Sequence, residues 1–239
     1  MPRIESCECD AFAAANFAHE ELHMLWWKKI KQSFSGQSVR RGIEDFDFRM
    51  EGWTEEEPAN GMRCWRGPHG SVLSLAALES NPFAGVQKLP REARALAKSA
   101  GGGLIEAEIL HCGDISATRL IYKRLQMPAY VFTGMFFASL ETHCSVWTIV
   151  DGECGTTGVR EAIVTNQLYQ SGEFKSIEDY ERLWARDPYD PSYDGVDRSV
   201  LRFVSDDEKY DAQFPDHPLS RVRAFQRELC NWISIWKRG

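Results

Sequence analysis

The first residues in this chain whose types and spacing suggest chemistry are two histidines one helical turn apart, in the run His19-Glu20-Glu21-Leu22-His23. H-E-x-x-H on a helix is the pattern in which two imidazoles hold zinc and the glutamate activates a water. A metal-dependent hydrolase using His19, Glu20 and His23 is therefore one functional expectation. Against it, Glu21 puts a charge where a metallopeptidase helix carries an uncharged residue, and no third ligand follows at a metzincin-like spacing. Adding Cys7 and Cys9 gives four zinc-capable side chains spaced C-x-C-x9-H-x3-H, tighter than a zinc finger allows. A solvated helix face is the simpler account. The sequence reading assigns no resident metal and no cofactor.

A second candidate is the turn Gly155-Thr156-Thr157-Gly158 ahead of a helical pattern. Free N–H groups and hydroxyls at a helix start can hold a small anion, with Arg160 in the first turn to assist. Neither a P-loop nor G-x-G-x-x-G is present, so Thr156 or Thr157 acting as a plain N-cap is the simpler expectation. Further on, the segment 187–211 carries Asp187, Asp190, Asp194, Asp197, Asp206, Asp207 and Asp211. These offer oxygen ligands for calcium but lack the EF-hand spacing, which leaves a proline-stiffened surface loop. Its aromatics Tyr189 and Tyr193, with Trp184 and Phe203, are expected to form a partner-binding surface. His143-Cys144 and His111-Cys112 are not catalytic dyads, because neighbours in a strand point to opposite faces.

The composition narrows the classes. With 43% hydrophobic and 12% aromatic residues in 239, the chain can bury a substantial core. A formal charge of −7 argues against a nucleic-acid or anionic-membrane binder, since those present basic surfaces. The apolar runs Ala129–Leu140 and Val146–Val150 are far shorter than the ~20 residues of a membrane helix. The acidic N-terminal stretch lacks the apolar core of a secretory signal. Seven scattered cysteines, an odd number, then point to reduced thiols in a cytoplasm, with Cys112, Cys144 and Cys230 as small core residues.

The elements that must position these groups follow from periodicity. Residues 11–34 read as a helix with Asp10 as its cap, followed by a polar linker to Gly42. Residues 44–51 alternate as a half-buried strand, and 53–60 read as an acidic loop. Residues 61–66 and 71–78 form a hairpin around Gly67-Pro68-His69-Gly70. A helix over 89–99 carries proline in its first turn and three glycines after its end. Strands follow at 104–110, 118–124, 130–140 and 144–150, joined too closely for crossovers and so antiparallel. Helices close the pattern at 158–170, 177–185 and 217–236. The expected fold class is α+β: a mostly antiparallel sheet flanked by helices as an α/β/α sandwich, with extra N- and C-terminal helices. The expected organisation is an appendage over 1–42, a core over 43–175, and a wrap plus helix over 176–239 packed on that core as one unit.

Phe46-Asp47-Phe48 with Trp53, Tyr130-Val131-Phe132-Thr133-Gly134, and Gly155 through Ala162 together resemble the PsbP-like superfamily. That superfamily holds a photosystem extrinsic subunit and a nuclear-import factor acting on the small GTPase Ran. The resemblance spans about residues 44–172. It implies a binding or accessory protein without chemistry of its own, most simply an uncharacterised bacterial member with an unnamed protein partner. The hydrolase and an anion binder at the Gly155–Gly158 turn stand as alternatives.

Overall fold

The computed structural model describes residue 46, residues 50–59, 62–85, 88–190, 192 and 197–236. The expected helix over 11–34, the residues Cys7, Cys9, His19, Glu20 and His23, and Tyr193 lie outside them. So does most of the strand expected over 44–51, of which Phe46 and Met50 are described, neither as strand.

Seven strands form one sheet: β1 (Thr54–Ala59), β2 (Met62–Arg66), β3 (Val72–Leu78), β4 (Gly103–Cys112), β5 (Ile115–Gln126), β6 (Ala129–Ser139) and β7 (Cys144–Gly152). Their order across the sheet is β1-β2-β3-β7-β6-β5-β4, every neighbour antiparallel. The chain thus lays down two meanders. Helix α1 (Leu89–Ser99) carries it from β3 to the far edge, and β7 closes the second meander onto β3. Short turns leave consecutive strands no alternative to antiparallel pairing, as expected.

β1 is a correction to the acidic-loop expectation. Thr-Glu-Glu-Glu-Pro-Ala lacks apolar alternation because this strand sits at the sheet edge. Its glutamates pair across to β2, Glu55 with Arg63 and Glu56 with Arg66, each at 2.7 Å. Pro58 lies at the irregular end of that edge, where no ladder donor is required.

β6 and β7 are buried along nearly their whole length because both faces of the sheet are covered. On one face α1 sets Leu89, Ala93 and Ala97 against Leu104, Leu120, Tyr122, Met135, Phe137 and Val146. On the other, helix α4 (Pro218–Trp236) sets Leu219, Val222, Phe225, Leu229 and Ile233 against Ile121, Phe132, Phe136, Trp147 and Ile149. Gly134 lets α4 approach: a Cβ there would stand 2.6 Å from Val222 Cγ1. The α+β sandwich follows from this arrangement.

Cys112 and Cys230 form a disulfide tying the end of β4 to α4, with Cα atoms 5.2 Å apart. This corrects the expectation of reduced thiols at both positions. A separation of 118 residues hides the pair from any spacing argument. Among the described residues, no helix is long and apolar enough to cross a membrane.

Helix α2 (Val159–Gln170), helix α3 (Ile177–Leu183) and the segment after it build a third cluster. Val164, Leu168, Phe174, Trp184, Leu201 and Phe203 make its interior, and Ala185–Arg186 (β8) pairs with Arg202–Phe203 (β9).

Candidate functional site

Where β7 ends, Glu153 begins the candidate site. Its Oε2 accepts from the amide of Tyr130 at 2.9 Å and its Oε1 from the amide of Gly158 at 3.0 Å. The carboxylate thereby pins the Gly155–Gly158 turn to the start of β6. Burial alone would push Glu153 up, but His217 and the two amides hold its carboxyl below the ordinary carboxylate value. The expected Thr156 or Thr157 cap is absent. Gly158 itself takes the N-cap position of α2 in the left-handed region, φ 73°, with no side-chain cap.

α2 supplies Glu161 in its first turn, and His217 precedes Pro218 at the start of α4. The imidazole packs edge-on against Phe132, centroids 5.2 Å apart, and its Nδ1 accepts from the amide of Leu219 at 3.3 Å. Its Nε2 stands 3.8 Å from Glu153 Oε1 and has no hydrogen-bond partner. Glu161 Oε1 receives only a long 3.5 Å bond from Ser205, and Oε2 is buried with no partner. Burial, then the nearby Asp206 carboxylate, pushes Glu161 up. One ligating atom from each of Glu153, Glu161 and His217 lies within 4.8 Å of the others. Above Glu153 and His217 opens a cleft of about 300 Å³, bordered also by Cys154, Thr156, Phe214 and Arg221.

Arg160 does not extend from the turn as an anion clamp. It is 1% exposed, and donates to Ser205 O at 2.7 Å, Ser220 Oγ at 2.8 Å, Asp207 O at 3.1 Å and Asp211 Oδ1 at 3.0 Å. It sews α2 to the wrap and to α4. Two further buried cations work the same way. Lys123 meets Asp206 at 2.6 Å, and Arg223 bridges Glu106 and Asp211.

The described aspartates of 187–211 have partners within the fold, and Asp194 lies outside the described residues. Asp187 takes both arms of Arg94 at 2.7 and 2.8 Å, and Asp197 and Asp207 cap the turns that follow them. Trp184 and Phe203 are core residues stacked on each other with centroids 5.5 Å apart. Tyr189 is half-exposed, and its hydroxyl donates to Ala107 O at 3.1 Å. Burial pushes the Cys144 thiol up to about 12, which disfavours its thiolate form.

α2 buries Arg160 beside two apolar residues and leaves further apolar side chains outside. Arg160, Val164 and Leu168 face inward, while Val159, Ala162, Ile163, Asn166 and Tyr169 face out at spacings of three and four. Tyr169 reaches Ser176 O at 3.3 Å, so the stripe runs on to Ile177, which is 69% exposed at the start of α3. The sequence held this signal in the spacing of Val159, Ile163 and Asn166. The charged pair Arg160-Glu161 drew attention to the wrong side.

No family model matches the chain, and no curated protein matches it. Among solved structures, the yeast Saccharomyces cerevisiae Ran-binding protein Mog1p overlaps 49% of this chain and 75% of its own, at 10% identity and a TM-score of 0.35. A Pseudomonas aeruginosa protein of unknown function, PA94, a putative regulator, overlaps 56% of this chain and 86% of its own, at 11% identity and a TM-score of 0.28. The overlap with a Bacteroides thetaiotaomicron protein covers 44% of this chain but only 37% of that one, at 13% identity and a TM-score of 0.30. Each is a partial likeness across roughly half of the chain.

Proposed function

We propose that the protein works by binding a partner protein through the outer face of α2 and the start of α3, with no bond-making chemistry of its own. Apolar exposure along the outer face of α2 and the start of α3 carries the reading. Val159, Ile163, Tyr169 and Ile177 are half of the large apolar side chains exposed among the described residues, and they form one stripe. Clustered apolar exposure of this kind marks interaction surfaces, whereas scattered apolar residues need no explanation. The stripe carries no charge, so its counterpart is an uncharged apolar ridge. A second copy of this chain is disfavoured as that counterpart, because two bodies of net charge −7 repel each other.

The reading is tested with a photo-crosslinking side chain at position 163, and at exposed Glu92 on α1 as a control, in the producing cell. The expected result is one adduct from position 163 and none from 92. The adduct is identified by mass spectrometry and the pair remade from purified components, whose affinity Ile163→Asp should weaken at least about tenfold. An adduct of twice the chain mass would make the occupant a second copy and overturn the proposal, and so would the absence of any adduct.

A further inference from the structure

The cluster beside the first turn of α2 rests on different side chains from that stripe, although Val159 borders both. We propose that Glu153, Glu161 and His217 hold a divalent metal ion of the zinc class. Three separate elements, the end of β7, the first turn of α2 and the start of α4, bring one imidazole nitrogen and two carboxylate oxygens within 4.8 Å of one another. That donor set suits zinc, and the cleft bordered by Glu153 and His217 gives room nearby for water or a further ligand.

The partners these atoms lack are the second observation. His217 Nε2 and Glu161 Oε2 are both buried without a hydrogen-bond partner, and the His217 side chain is only 9% exposed. Buried polar atoms are rarely left unpaired, and two unpaired atoms beside a third donor mark a place for an ion. The surrounding cations are otherwise engaged: Arg160 on Asp211, Arg221 on Asp151, Lys123 on Asp206, and Arg223 on Glu106 and Asp211. Among the described residues, no arginine or lysine forms an ion pair with Glu153 or Glu161.

The surroundings hold the ligands in place, except at His217 Nδ1. Two backbone amides fix the Glu153 carboxylate, and Phe132 fixes the plane of the imidazole. Binding through Nε2 places the ring proton on Nδ1, which gives up the long 3.3 Å contact from Leu219. That amide sits in the first turn of α4, where helical N–H groups have no intrahelical acceptor.

The experiment uses the full, untagged chain, stripped of metal and titrated with zinc, with stoichiometry and affinity read by calorimetry and elemental analysis. Cys7, Cys9, His19 and His23 are competing zinc ligands, so a parallel protein carries Cys7→Ser, Cys9→Ser, His19→Ala and His23→Ala. One equivalent should bind to both proteins, with X-ray absorption reporting nitrogen and oxygen ligands and no sulfur. Glu161→Gln and His217→Gln should each weaken binding about tenfold or more, while the metal-free variants keep the far-UV dichroism of the parent. If these variants do not fold, zinc should still raise the Tm of the parent in the four-substitution background. Zinc lost with the four N-terminal substitutions, retained by both site variants, or bound through sulfur would overturn the assignment. So would the absence of any binding to the parent.

Discussion

Behind α1 the sheet presents Leu104, Leu120, Tyr122, Met135, Phe137 and Val146, and the helix answers with Leu89, Ala93 and Ala97. Beneath α4 the same strands present Phe132, Phe136 and Trp147, but also Glu106, Arg119, Lys123 and Asp151, and α4 answers with Ser220, Arg221, Arg223 and Gln226. Apolar packing is tolerant of which neighbours meet, provided volume is kept. Buried ion pairs add little net stability, yet they penalise every arrangement that leaves a charge alone. Both faces therefore hold the sandwich together by apolar packing, and only the α4 face adds buried ion pairs to it. The α4 face determines where the wrap and the last helix seat, and it is also where the unpartnered atoms of the candidate metal site lie.

Four measurements by chemical denaturation would break or sharpen that contrast. Cys112→Ala with Cys230→Ala should cost about 4–5 kcal/mol, since the bridge closes a loop of more than a hundred residues. Lys123→Ala should cost about 3–5 kcal/mol by leaving Asp206 charged and buried, whereas Lys123→Met combined with Asp206→Leu should recover most of that loss. A double variant as unstable as the single one would show that the pair itself supplies the stability. On the opposite face, Leu89→Ala should cost about 2–3 kcal/mol and add simply to distant substitutions there. The smallest effect belongs to the edge pair. Arg63 holds Glu55 below its ordinary 4.5, so its contribution is present above that value and fades as pH falls through the lowered one. Glu55→Gln should cost only a few tenths of a kcal/mol, about as expected for an exposed pair, and nothing in acid.

Most of the sandwich was legible because its elements carry clean periods. The helix over 89–99, the hairpin around Gly67–Gly70 and the four-strand meander all follow from alternation and turn residues. β1 was not legible, because an edge strand held by backbone bonds and glutamate–arginine pairs has no apolar face to display. Arg160 was placed wrongly beside the turn for a different reason. It is a charge whose partners lie far along the chain, at Ser205, Asp211 and Ser220, as is Asp187 with Arg94. The candidate metal site was hidden in the same way. Glu153, Glu161 and His217 sit unremarkably in the sequence and converge only when β7, α2 and α4 do. The spacing of His19 and His23 is what local inspection finds.

The placement of α4 also bears on how the molecule is made. The two meanders and α1 leave the ribosome first, so the sheet can form with one face covered. Among the described residues, the cover that α4 gives Phe132, Phe136 and Trp147 on the other face is in place only once residues 218–236 have been synthesised. A nascent chain stalled before that point presents a broad apolar sheet to its surroundings, the kind of surface that chaperones recognise and that aggregates when left uncovered. Production of this protein should therefore depend on the synthesis of residues 218–236 more than on that of any stretch before them.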